Sequence, residues 1–202
     1  MKKWMRWTIV LSVVALLAGA WTWRYVTMNR YYDDLDNSGY ALYQLGEMVP
    51  FGVDGNDSRT DLNGYYFRVD GCEIVGYEEY LERIGAALEP RADDPDKLVV
   101  VYATLINESC AANPVMLTDL TLRGEDSSFL MDRDVLRCAN EELGLNVGLA
   151  LDPGTQKQLV LPYEVHEEKL RSETVAALEG YKMYLQVTSV YTTKEVLVNG
   201  GE

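Results

Sequence analysis

An uncharged run from Trp7 to Trp23, preceded by Lys2, Lys3 and Arg6 and followed by Arg24, constrains this chain more than any other feature. The first thirty residues hold no Asp or Glu, whereas everything after them is strongly acidic. A membrane-crossing helix needs about twenty apolar residues and at least about seventeen, a limit the run just meets. Trp4, Trp7, Trp21 and Trp23 fall where the two interfaces would lie, the depth that indoles prefer. The excess of Lys and Arg ahead of the run puts the N-terminus in the cytoplasm. The expected order is a basic cytoplasmic start at 1–6, a single-pass anchor at 7–23 and a tether at 24–39. A cleaved secretory signal is the alternative, with Ala18-Gly19-Ala20 as the small-residue site and secretion after cleavage at Ala20. Both readings place the main domain outside the cytoplasm and set aside nucleotide-driven and cytosolic chemistries.

After the first thirty residues, thirteen Lys and Arg face thirty-two Asp and Glu. That balance opposes nucleic acid and anionic lipid surfaces as partners of the exposed part. A basic protein face, a cationic peptide or a metal ion is compatible with it. The length after the anchor suffices for one domain with a real core, expected over 40–199, with 200–202 as a tail. Cys72, Cys110 and Cys138 are widely spaced and contain no CxxC, which argues against zinc. They read either as three buried thiols or as one disulfide, Cys110 with Cys138, in an oxidising compartment.

Along the chain the patterns are mostly those of short strands. Tyr40–Val49 predicts a first edge strand stopped at Pro50, and 52–64 a loop. Tyr65, Phe67 and Val69 alternate with Tyr66, Arg68 and Asp70, the period of a half-buried strand. Cys72, Ile74 and Val75 continue it past a bend at Gly71. Leu81, Ile84 and Leu88 recur at helical spacing across 78–88, with Pro90 ending the element. Leu98–Ile106 is apolar on both faces, as in a strand covered on both sides. Thr118, Leu120 and Leu122 predict one face of a further strand. Asp132 is placed to cap a short helix carrying Val135, Leu136, Ala139 and Leu143, with Gly144 as its stop. Leu151-Asp152-Pro153-Gly154 predicts a turn, Leu159–Val165 a strand interrupted at Pro162, and 167–179 a helical turn. Tyr181, Met183, Leu185 and Val187 alternate with polar neighbours, and 195–198 finishes the sheet. Repeated short strands with turn signals between them predict a mainly β chain, a two-sheet sandwich with short helical insertions.

The order of these features resembles a known group. A basic start and apolar anchor precede Leu45-Gly46-Glu47, a long hydrophobic strand ends at Leu105-Ile106-Asn107, Leu151-Asp152-Pro153-Gly154 precedes Leu159-Val160-Leu161-Pro162, and a late strand closes the chain. Over about residues 40–199 this is similar to the telokin-like, immunoglobulin-like extracellular domains of bacterial membrane-anchored proteins and lipoproteins, many without assigned function. The resemblance implies a sandwich on the outer face of a bacterial membrane, and it implies no catalytic residues.

His166 is the single histidine, flanked by Glu164, Glu167 and Glu168, and no nucleophile-elbow pattern accompanies it. For calcium, Asp34, Asp36 and Ser38 hold the alternate ligand positions of a calcium loop and Gly39 its sixth, but Leu45 stands where the bidentate Glu belongs. Asp54, Asn56, Ser58 and Thr60 repeat the alternation with Arg59 in place of the Gly. Asp93, Asp94 and Asp96 read as a charged loop. Tyr31 with Tyr32, and Tyr65 with Tyr66, are candidate aromatic contact surfaces. Asn56-Asp57-Ser58 and Asn107-Glu108-Ser109 fit the glycosylation pattern without further support. These residues predict a non-enzymatic, membrane-anchored binding module of a bacterial cell envelope, engaging a protein or envelope partner. A calcium-modulated adhesion or sensor domain is one alternative, and an envelope hydrolase centred on His166 another.

Overall fold

The computed structural model of the protein describes residues 18–19, 21–24, 39–52, 62–108, 112–143, 147–189 and 192–199. The chain divides into two compact units, Met1–Ser38 and Gly39–Glu202. In the first, residues 18–19 and 21–24 are helical. The rest of the expected anchor at 7–23 lies outside the described residues. Among the described residues no helix is long and apolar enough to cross a membrane.

The second unit is mainly β. Its strands are β1 (Tyr40–Tyr43), β2 (Met48–Gly52), β3 (Leu62–Gly76), β4 (Lys97–Asn107), β5 (Val115–Met116), β6 (Thr121–Gly124), β7 (Ser128–Phe129), β8 (Gly148–Leu149), β9 (Thr155–Val165), β10 (Met183–Thr188) and β11 (Thr193–Asn199). The helices are α1 (Tyr77–Ile84), α2 (Arg133–Ala139) and α3 (Ser172–Ala176). A five-stranded sheet has the order β1-β11-β10-β6-β7, a four-stranded sheet β2-β3-β4-β9, and β5 pairs with β8. Strand β1 runs parallel to β11, whereas the other pairs are antiparallel.

One core joins the two larger sheets. Phe67 and Val69 of β3, Val101 and Leu105 of β4 and Leu161 of β9 share it with Leu122 of β6, Leu185 of β10 and Val196 of β11. Each such fully buried aliphatic side chain contributes about 2 kcal/mol. The other face of β4 is also covered. Leu98 and Val100 meet Tyr77 and Tyr80 of α1 and Val135 of α2 in a second cluster. The doubly apolar sequence of β4 thus reflects a strand enclosed on both sides.

Several expected elements change shape. Residues 40–49 form two strands in different sheets rather than one. The chain turns between them at Gly46, whose φ of 83° is a conformation that other residues adopt only with strain. Pro50 lies inside β2 instead of ending it, because β2 is an edge strand and its Pro need not donate to a neighbour. Pro162 likewise lies inside an unbroken β9. Its C=O accepts from the N–H of Asp132 at 3.0 Å, so its polar side faces away from β4 and no ladder bond is lost. The strand expected through Thr118 and Leu120 is interrupted by a 3-10 turn over Leu117–Asp119. Leu117 and Leu120 are both buried, which the turn permits and strict alternation would not. Helix α1 stops at Gly85 (φ 66°), ahead of the expected Pro90. Asp132 caps α2 as expected, accepting from the N–H groups of Asp134 and Val135. Finally, β11 lies inside its sheet, with β1 outside it.

Candidate functional site

The outer face of the four-stranded sheet gathers charged and hydroxyl side chains beside α1 and α2. A register shift between Val69 and Gly71 re-phases β3 against β4 and separates two polar groups. On one side of it, Arg68 Nε donates to Asp70 Oδ1 at 2.6 Å, Arg68 Nη2 to Thr104 Oγ1 at 3.3 Å, and Thr104 Oγ1 to Asp70 Oδ2 at 2.6 Å. On the other, the Tyr102 hydroxyl and Arg83 Nη1 both donate to Glu73 Oε1, at 2.5 and 2.6 Å. Arg83 Nη2 reaches Glu79 at 3.2 Å, and the guanidinium lies 5.8 Å from the ring centre of Tyr80.

This second group is electrostatically polarised. The Tyr102 hydroxyl, with Arg83 behind it, holds the Glu73 carboxyl below its ordinary range despite partial burial. Burial, then the Glu73 carboxylate, pushes the Tyr102 hydroxyl up to about 12. Two open clefts flank the pair. One, of about 790 Å³, runs past Glu73, Glu79, Arg83 and Lys97 to the segment 175–180. The other, of about 830 Å³, crosses Arg68, Asp70, Tyr102, Asn140 and Lys157 and includes Cys138. Such an arrangement presents fixed donors and acceptors to a ligand, with each charge already balanced by a neighbour.

A third cluster centres on Arg91. Its Nε donates to Asp94 at 3.0 Å and its Nη2 to Asp132 at 2.8 Å, with Asp134 and Glu164 each at 3.7 Å. Asp132 is 0% exposed, and the guanidinium and two backbone N–H groups together balance its charge. The hydrogen bonds of Arg91 hold Asp94 below the usual carboxylate range against the opposing effect of burial. Asp94, expected as part of a charged loop, is therefore tied into the fold.

His166 lies beside a small cavity of about 200 Å³ that Ser127, Ser128, Leu130, Glu164 and Lys169 also line. Its Nε2 is 3.2 Å from Glu164 Oε2. Ser127 Oγ donates to Asp126, and no hydrogen bond joins either serine to the imidazole. Tyr65 is buried in the core, with its hydroxyl donating to the C=O of Leu151 at 3.0 Å, while Tyr66 is half-buried on the opposite face of β3. Asn107 is buried too, and its side chain donates to the same carbonyl at 2.7 Å. That leaves the glycosylation pattern at 107–109 without an accessible acceptor. Cys72 and Cys138 carry free thiols, and burial pushes the Cys72 thiol up.

Cys110, Tyr31, Tyr32, Asp34, Asp36, Ser38 and the loop 54–60 lie outside the described residues. Among the described residues no three His, Cys, Asp or Glu are grouped to hold a metal ion. The sequence reading missed Arg68, Glu73, Arg83, Arg91, Tyr102 and Thr104. The visible signal was slight, a polar residue at alternate positions of β3 and β4, and α1 supplies the remaining partner across the fold.

Comparison with solved structures gives a crystal structure of the yjhA protein from Bacillus subtilis, 13% identical, covering 77% of this chain and 98% of that one at a TM-score of 0.43. No curated protein matches the chain. Residues 41–194 match the family described as a domain of unknown function, DUF5028, and because that span is most of the chain, the protein belongs to this family.

Proposed function

We propose that this protein is a non-enzymatic binding module of a bacterial cell envelope, held at the membrane by residues 7–23 and displaying its β domain outside the cytoplasm. Its partner is another protein or an envelope component rather than nucleic acid. The observation that carries this reading is the outer face of the four-stranded sheet. There Glu73, Tyr102 and Arg83 form a fixed, charge-balanced, partly exposed group between two open clefts. Preorganised polar groups of this kind favour recognition, because little side-chain entropy is lost on contact. The test is mild crosslinking in native membranes followed by identification of the captured species. A stoichiometric partner that is lost in Arg83→Ala is expected, and recovery of the protein alone in repeated captures would count against the reading.

In the same reading the β domain is a two-sheet sandwich related to the immunoglobulin-like type. The shared core of the two larger sheets supports this. The pairing of β3 with β4, its successor in sequence, departs from the immunoglobulin pattern, in which the second strand lies beside the fifth. An experimental structure with the strands rolled into one closed barrel would refute it. The calcium alternative rests on Asp34, Asp36 and Ser38. It predicts a thermal shift with millimolar calcium that disappears in Asp36→Ala. Cys138 is a free thiol in this structure, so a disulfide with Cys110 would have to form by oxidation in the extracytoplasmic compartment, and thiol labelling of the protein from its own membranes tests it.

A further inference from the structure

The sheet edges of the β domain are treated unequally. The outer edge of β9 is covered: Asn140 exchanges two hydrogen bonds with the backbone of Val160, at 2.8 and 2.9 Å. The N–H of Asp132 takes the C=O of Pro162, and the N–H of Glu164 donates to the C=O of Leu130. The edge of β2 carries Pro50, whose C=O accepts from the buried ammonium of Lys194 at 2.7 Å. Strand β7 has only two residues. Proline, a lysine and a covering segment are the devices by which proteins blunt an edge against further pairing.

Among the described residues, strand β1 has none of them. Thr193 donates its N–H to the C=O of Gly39 at 2.9 Å, which fixes the phase of the parallel ladder. Gly39, Ala41 and Tyr43 then turn their polar groups toward β11, and Tyr40 and Leu42 turn theirs to the free edge. The side chains of Tyr40 and Leu42 are also 59% and 46% exposed. Leu45 and Met48 extend the same exposed apolar stretch along the chain. Residues 39–46 carry no charge in a chain whose net charge is −14.

We infer that the β1 edge is a self-association surface, on which β1 of a second copy adds antiparallel and joins two five-stranded sheets across a two-fold axis at Ala41. The occupant follows from charge and register. Two such acidic molecules repel over most of their surfaces, and an uncharged edge lets them approach without like charges face to face. A two-fold contact must also be self-complementary. With the axis at Ala41, Tyr40 of each copy stands opposite Leu42 of the other as a hydrogen-bonded pair. The small Ala41 meets its own image at the close, non-hydrogen-bonded position. The aromatic and aliphatic side chains then lie side by side on one sheet face, a favourable cross-strand pairing.

The experiment is sedimentation of the full chain over a concentration series, with two variants. Leu42→Pro removes only an outward N–H and leaves the bonds to β11 in place. The wild type is expected to double in apparent mass as concentration rises, and Leu42→Pro to stay monomeric with unchanged circular dichroism. Under mild oxidation Ala41→Cys is expected to form a 41–41 disulfide, identified by peptide mass, because facing residues at this position come within disulfide reach. Tyr40→Cys, away from the axis, is expected to stay unlinked. A wild type that remains monomeric up to millimolar concentration would overturn the inference. So would a dimer that survives Leu42→Pro, or one in which Tyr40→Cys links and Ala41→Cys does not. Should Leu42→Pro unfold, the two cysteine variants decide. Capture of a different partner through Arg83 bears on the proposed function and leaves this result unaffected.

Discussion

The two large sheets each bury an acidic side chain against an arginine, and they secure it differently. Asp132, under the four-stranded sheet, is 0% exposed and accepts from Arg91 and from the N–H groups of Asp134 and Val135. Glu195, on the five-stranded sheet, is 3% exposed and accepts from Arg123 and the Tyr40 hydroxyl. The first carboxylate is built into the backbone at a helix start. The second is held only by side chains, one of them from edge strand β1. The lesson is that equal burial does not mean equal commitment. A charge satisfied by backbone amides is tied to local folding, whereas one satisfied by exposed side chains can be relieved by water.

The largest expected effect tests that contrast. Asp132→Ala should cost about 3 kcal/mol, through the lost cap and the stranded amides of α2. Glu195→Ala should cost about 1.5 kcal/mol, because Arg123 and Tyr40 can turn to solvent. Urea unfolding of both variants measures the difference, and equal losses would break the comparison. Next comes Asn140→Ala, which removes one donated and one accepted bond to Val160 at the β9 edge and one donated bond to the C=O of Leu136, and should cost about 1.5 kcal/mol. With the backbone bonds of Asp132 and Glu164 still covering β9, it should open that edge only at Val160, and Asn140→Ala in the Leu42→Pro background should stay monomeric.

The pH dependence sharpens the same contrast, since both phenols pushed up to about 12, Tyr102 and Tyr77, lie on the four-stranded side. A phenol of unfolded pKa about 10 that ionises later in the folded state contributes stability that is complete below pH about 10. That contribution is lost as pH rises from there toward about 12, and Tyr102→Phe should flatten the fall. On the acid side, the lowered Glu73 contributes stability present above its unfolded pKa of about 4.3 and lost as pH falls through its folded value. Denaturant midpoints across pH measure both limbs, and a Tyr102→Phe profile identical to wild type would remove the assignment. The smallest effect is Arg83→Ala. Its ion pairs are exposed and screened by water, so stability should barely change while partner capture falls.

Much of the fold was legible in local patterns. The alternation of Tyr65, Phe67 and Val69, the apolar run of β4 and the cap at Asp132 each report a neighbourhood within a few residues. The site was not legible in that way. Arg91 finds Asp132 across forty-one positions, and Tyr102 finds Glu73 across twenty-nine. Nothing in the sequence near Arg91 or Tyr102 distinguishes them from an ordinary charged loop or an ordinary strand tyrosine. The split of 40–49 into two strands was hidden for a related reason. Gly46 permits a turn, but only the presence of two sheets to receive the halves makes the chain use it.

By itself the sequence determined that this chain is mainly β, that one of its strands is enclosed on both faces, and that charge is sharply divided between its first thirty residues and the rest. These follow from side-chain period and composition, which act locally and add along the chain. The tertiary structure alone decided which prolines could sit inside strands, which carboxylates would be buried and which edge the described residues leave open. Each of those depends on what lies across a sheet. A proline, an aspartate or an unpaired N–H costs or contributes free energy only according to the partner that folding brings to it.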